Sequence, residues 1–204
     1  MAKGKGAVSE VESAVSAAED VDPEFNPPAS AIRDDAGLKE YLAYYNGRIS
    51  DDIEVALAPR KVDYSNALEE EGGVYIAAQV LALGVHLPHP AFAREVLVHY
   101  NFSPTQISPG SWRVILGFAA LGRSQGVQLG IEEFRGIYFL KSLGKGSYCF
   151  SPRKNKEKLI TKVPDSDSGW KNSIVLVTGR WESLVPEEWG LVPRAWGQPS
   201  MLLD

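Results

Sequence analysis

The chain of 204 residues contains a single cysteine, Cys149, with only two methionines and three histidines. One thiol excludes an internal disulfide and any zinc site built on several cysteines. The plain reading of Cys149, between Tyr148 and Phe150, is a half-buried strand residue. Long apolar runs are also missing. The longest, Val74 to Val85, is interrupted by Gln79 and falls short of the ~20 residues that cross a bilayer, so it reads as a core segment. No apolar stretch follows the opening Met-Ala-Lys-Gly-Lys-Gly; Glu10, Glu12, Glu19 and Asp20 come instead. That pattern fits neither a secretory signal nor an organellar transit peptide. The expectation is an intracellular protein, nuclear or cytoplasmic, with no transmembrane segment.

Familiar catalytic signatures are lacking too. There is no G-x-S-x-G, and Gly144-Lys145-Gly146-Ser147 lacks the spacing of a phosphate-binding G-x-x-x-x-G-K-[ST], so it reads as the entry to a hairpin. Strand transfer by two metal ions needs about three converging carboxylates. The candidates Asp34, Asp35, Asp51, Asp52, Asp63, Glu132, Glu133, Asp165 and Asp167 fall mostly in caps, loops or the acidic lead, none inside an apolar strand. His86-Leu87-Pro88-His89 has the spacing of a metal pair, with His99 further on, but two prolines make it first of all a rigid turn. The reading is of no catalytic residue, no metal, no cofactor and no small-molecule substrate.

What is present suffices for a core. Hydrophobic residues make up 44% and charged residues 23%, ordinary values for a globular domain. The charge is uneven, with a net of −9 over residues 1–72 and +4 over 73–204, which disfavours indiscriminate DNA binding by the whole chain but leaves room for a local basic site. Residues 1–33, with Asn26-Pro27-Pro28, read as an acidic, proline-containing disordered tail, 34–199 as the folded domain, and 200–204 as a short C-terminal tail.

Within the domain, Asp34 offers an N-cap for a helix with Leu38, Tyr41, Leu42 and Tyr45 on one face. Ile53 to Leu57 alternates like a short strand. Val74 to Leu83 suits a helix ending at Gly84, and Phe92, Val96, Leu97 and Tyr100 make the inner face of the next, with Asn101 as C-cap. Ser108-Pro109 starts another helix, with Trp112, Ile115, Leu116 and Ala119 inward and Gly126 as its close. Ile131, Phe134, Ile137 and Tyr138 form a further helical face. After Gly144-Lys145-Gly146 the period changes, giving strands at Ser147–Phe150, Lys158–Val163 and Ile174–Val177. The expected fold is α+β, a bundle of four to five helices followed by a short antiparallel β-meander.

Two surface features stand out. Arg153, Lys154, Lys156, Lys158 and Lys162 crowd one expected hairpin, with Tyr148 and Phe150 upstream. Such a cluster is either an edge-protecting hairpin tip or a site for single-stranded nucleic acid. Trp181, Trp189 and Trp196 cluster near the C-terminus, where they either pack over the sheet or form a partner surface.

The segment Leu83-Gly84-Val85-His86-Leu87-Pro88, the helix Arg94-Glu95-Val96-Leu97 and the run from Phe102 to Val114 carry a resemblance. So do Phe134 to Lys141, Tyr148-Cys149-Phe150, Gly169-Trp170-Lys171-Asn172, Trp181-Glu182 and Pro193-Arg194-Ala195-Trp196-Gly197. In order and spacing, over about residues 36–199, they resemble the plant family of putative gypsy-type transposon (putative transposase) domains. The resemblance implies a retroelement-derived, gag-like, non-enzymatic part, and it carries over no catalytic residue. Its expected role is protein interaction or self-association, with an unidentified partner. Nucleic-acid binding through 153–162 is the alternative, and a transposase or strand-transferase fragment is the most remote.

Overall fold

The computed structural model describes residues 29, 32–59, 63, 65, 72–154, 156, 159–161 and 169–199. Helix α1, Asp35–Tyr44, starts where Asp34 accepts the Gly37 N–H at 2.9 Å and turns Leu38 and Tyr41 into the core. Strand β1, Ile53–Leu57, follows. Strand β2, Val74–Ala77, has all four residues buried and leads into a single helical turn, α2, Gln79–Ala82. Helix α3, Ala91–Tyr100, buries Ala93, Val96, Leu97 and Tyr100 and ends on Asn101 in the left-handed region. Helix α4, Pro109–Gln125, begins at Ser108-Pro109 and stops on left-handed Gly126. Helix α5, Ile131–Ile137, passes directly into strand β3, Tyr138–Gly144, which turns back as β4, Ser147–Pro152. The last strand is β5, Ile174–Gly179.

The class is α+β with antiparallel sheets, as the sequence implies, but the strands pair across long stretches of chain. β5 is the centre of a three-stranded sheet, flanked by β1 and β2, with Val177 opposite both Val55 and Val74. β3 and β4 form a separate hairpin closed at Gly144–Gly146. Three expectations change. Val74–Ala77 is a strand, not the start of a helix: its four consecutive apolar residues are buried on both faces, where neither period leaves a mark. Tyr138 begins a strand instead of ending a helical face. The strand expected over 158–163 is not formed at the described residues 159–161; Ile160 instead lies against Gly117 of α4, and its N–H reaches the Tyr138 hydroxyl at 3.3 Å.

Packing begins slightly before residue 34. Ile32 is buried, and the Ala29 carbonyl accepts from the Ser173 hydroxyl at 2.9 Å. Residues 1–28, 30 and 31 of the expected N-terminal tail, the connector Glu69-Glu70-Glu71 and the C-terminal residues 200–204 lie outside the described residues.

Two aromatic systems hold the fold. Phe134 meets Phe92, Phe118, Tyr138 and Phe150 with ring centroids 4.9–5.7 Å apart, joining α3, α4, α5 and the hairpin. Tyr100, Phe102 and Tyr148 extend the chain of rings to the hairpin's other end. Ser111 on α4 accepts the Phe150 N–H at 2.9 Å, and the Ser108 N–H donates to the Tyr148 carbonyl at 3.0 Å. The hairpin is thereby fixed to the start of α4 by buried hydrogen bonds as well as by rings.

Candidate interaction surfaces

Beyond β5 the chain runs as a strap across the domain. Arg180 pairs with Asp52. Trp181 drops into the core, 1% exposed, with its indole N–H on the Gly72 carbonyl at 2.9 Å. Glu182 follows, almost fully buried, and its carboxylate accepts three backbone N–H groups: Gly190 at 2.8 Å, Leu191 at 2.8 Å and Val192 at 2.6 Å. One side chain thus closes a loop of eight residues, doing for irregular backbone what a cap does for a helix end.

Further ties stiffen the loop from inside. The Ser183 hydroxyl donates to Glu188 at 2.5 Å and accepts from the Val185 N–H at 3.0 Å. Trp189 donates its indole N–H to the Ser183 carbonyl at 2.7 Å, and Glu188 pairs with Arg94 on α3. The Ser183 hydrogen bond first, then Arg94, holds the Glu188 carboxyl below the usual carboxylate range. The loop presents apolar side chains, with Glu187 exposed among them: Leu184 is 57% exposed, Val185 46%, Trp189 47% and Leu191 55%. Four large apolar side chains so close together on one surface loop form the kind of feature that marks an interaction site.

The three candidate tryptophans therefore separate. Trp189 is presented to solvent. Trp181 cannot be a partner surface in this fold, because its ring fills the core beside His89. Trp196 is half-buried: its N–H bonds Thr105 Oγ1 at 2.7 Å, and its ring lies over Gly146, where an added Cβ would come within 2.6 Å of it. Leu184, Val185 and Leu191 were not singled out from the sequence, and Glu182 only as part of the Trp181-Glu182 motif. The available signal was an apolar run without period, Leu184-Val185-Pro186 and Trp189-Gly190-Leu191, broken by turn residues.

The basic candidates are only partly brought together. Arg153 follows β4 and is tied inward, its N–H to Ile137 and its Nε to the Arg135 carbonyl, both at 2.8 Å. Lys154 and Lys156 are exposed, while Lys158 and Lys162 lie outside the described residues. The paired hairpin is β3–β4, and the described residues Arg153, Lys154 and Lys156 follow its second strand.

Several of the carboxylates named from the sequence serve local structure. Asp34 caps α1, Asp52 pairs with Arg180, Glu132 pairs with Arg135, and Glu133 accepts the Gly130 N–H at 2.9 Å. Asp165 and Asp167 lie outside the described residues. Among the described residues no three of His, Cys, Asp and Glu come together as metal ligands, and no helix is long and apolar enough to cross a membrane.

His89 has a structural place. It is buried between Trp112 and Trp181, with ring centroids 5.3 and 6.0 Å away, and neither ring nitrogen has a hydrogen-bond partner among the described residues. Burial first, then the charge of Arg94, pushes its pKa down to about 4. An unfolded chain protonates the same imidazole near 6.5. Its contribution is therefore complete above about pH 6.5 and is lost as the pH falls toward 4, a change on the order of 3 kcal/mol. Urea unfolding at several pH values will show this slope, and His89→Leu will flatten it.

Comparison with known families gives one match. Residues 74–142, from β2 through α5 into β3, fit the family model described as "putative gypsy type transposon". No curated protein and no solved structure matches the chain. The match is narrower than the motif resemblance over 36–199, whose remaining parts rest on the motifs alone. The central segment of this chain, β2 to β3, is thus similar to the gypsy-type transposon family over about a third of the sequence.

Proposed function

We propose that this retroelement-related chain is a non-enzymatic, gag-like domain whose work is protein interaction, and that it assembles with copies of itself through the loop 184–191. One observation carries the reading: Leu184, Val185, Trp189 and Leu191 are exposed on a loop whose backbone is already fixed by Glu182 and Ser183. An apolar surface that is ordered before binding loses little entropy on docking, and a tryptophan held in one pose suits the centre of an interface. Supporting the non-enzymatic part, the acidic side chains with described partners spend their oxygens on caps and ion pairs.

Size-exclusion chromatography with light scattering tests this across a concentration series. The wild type will self-associate as concentration rises. Trp189→Ala will weaken association by tenfold or more, about 1.4 kcal/mol, with little change in melting temperature because the ring is half exposed. A wild type that stays strictly monomeric at high concentration would rule out self-assembly.

A further inference from the structure

A second surface lies on the β3–β4 hairpin, well apart in sequence from the loop 184–191. We propose that Lys145 and Lys171, brought together beside Trp196, form a phosphodiester-binding site for single-stranded nucleic acid. The two lysines come from different elements, Lys145 from the hairpin tip and Lys171 from the helical turn Trp170–Asn172 just before β5. Lys171 Nζ bonds the Ser147 hydroxyl and stands 5.2 Å from the Trp170 ring centroid and 5.1 Å from that of Trp196. Neither lysine has a carboxylate at ion-pair distance among the described residues, whereas Arg94, Arg135 and Arg180 each have one.

Like charges gathered without a counter-charge are unfavourable unless an anion joins them. Burial first, and then the positive charge of Lys145, lowers the pKa of Lys171. Lys145 holds a φ of 48° and Gly146 one of 69°, the two left-handed residues of a tight two-residue hairpin turn, which sets Lys145 at the tip.

The hairpin's outer face extends the site. Phe139 and Lys141 alternate outward along β3 opposite Ser151 and Cys149, both exposed, and the chain beyond β4 carries exposed Lys154 and Lys156. The exposed Phe139 ring and the half-buried ring of Trp196, set among these lysines, suit a base that stacks and phosphates that pair with compact ammonium groups. An acidic peptide would satisfy the lysines but not the rings, which is why nucleic acid is the ligand chosen.

The test is fluorescence anisotropy of the full chain with a labelled oligothymidylate of about 20 nucleotides, between roughly 20 and 200 mM salt. The wild type will bind at low salt and weaken as salt rises. Lys145→Asn removes the charge while keeping a residue that accepts the left-handed tip, and it will lower affinity about fivefold and the salt slope by about 0.7. Lys145→Asn/Lys171→Gln will lower both further. Four results would overturn the site: no binding by the wild type at low salt, unchanged affinity in Lys145→Asn, competition by polyglutamate as strong as by unlabelled oligonucleotide, or loss confined to Lys154→Gln/Lys156→Gln.

Discussion

Phe134→Ala will cost about 3–5 kcal/mol of stability and lower the melting temperature by roughly 10 °C or more. Phe134 is fully buried and touches aromatic side chains from α3, α4, β3 and β4 together. Removing it leaves a cavity walled by four other rings, none of which can collapse inward without giving up its own contacts. The damage will spread, because among the described residues the hairpin has no third strand and depends on the aromatic packing for its seat. Phe134→Leu keeps most of the volume and will cost well under half as much. Calorimetry or urea unfolding decides the matter; a loss below about 1 kcal/mol for the alanine variant would show that the ring cluster is not the centre of the core.

Glu182→Ala will be the second severe change, at about 2–4 kcal/mol. Three N–H groups lose a charged acceptor at once, and the one on Val192 is too buried for water to replace it fully. The consequence reaches function, since the loop 184–191 loses the anchor that holds Leu184, Trp189 and Leu191 in place. Self-association will therefore fall in Glu182→Ala although every exposed apolar side chain is retained. Glu182→Gln sharpens the argument. Its amide keeps one oxygen for Leu191 and Val192 but turns an N–H₂ toward the Gly190 N–H, so it will fall between wild type and alanine. Light scattering alongside thermal unfolding separates the two effects.

Much of the helical part was legible because its signals are local. Asp34, Ser108-Pro109, Asn101 and Gly126 mark helix ends through the conformation of one or two residues, and each does so in the structure. The sheet was harder. β5 pairs with strands about 100 residues or more upstream in the chain, and nothing in Ile174–Gly179 names Ile53–Leu57 or Val74–Ala77 as partners. β2 was misread because a short, fully buried apolar run fits helix and strand equally.

The same limit applies to the surfaces. Trp181, Trp189 and Trp196 are the same residue type within sixteen positions, yet one is core, one is a half-buried brace and one is exposed. Tertiary packing decides which. Glu182 was invisible as an organiser because its partners are backbone groups, which sequence does not distinguish. Lys171 likewise looked unremarkable until the fold set it against Lys145 and Trp196.

Amide hydrogen exchange across residues 184–192, followed in dilute and in concentrated protein, addresses the main claim most directly. The account predicts that the Gly190, Leu191 and Val192 amides are protected even in the dilute monomer, and that protection around Leu184 and Trp189 increases on concentration. Rapid exchange of the whole segment under both conditions would contradict it, for the loop would then be neither preformed nor covered.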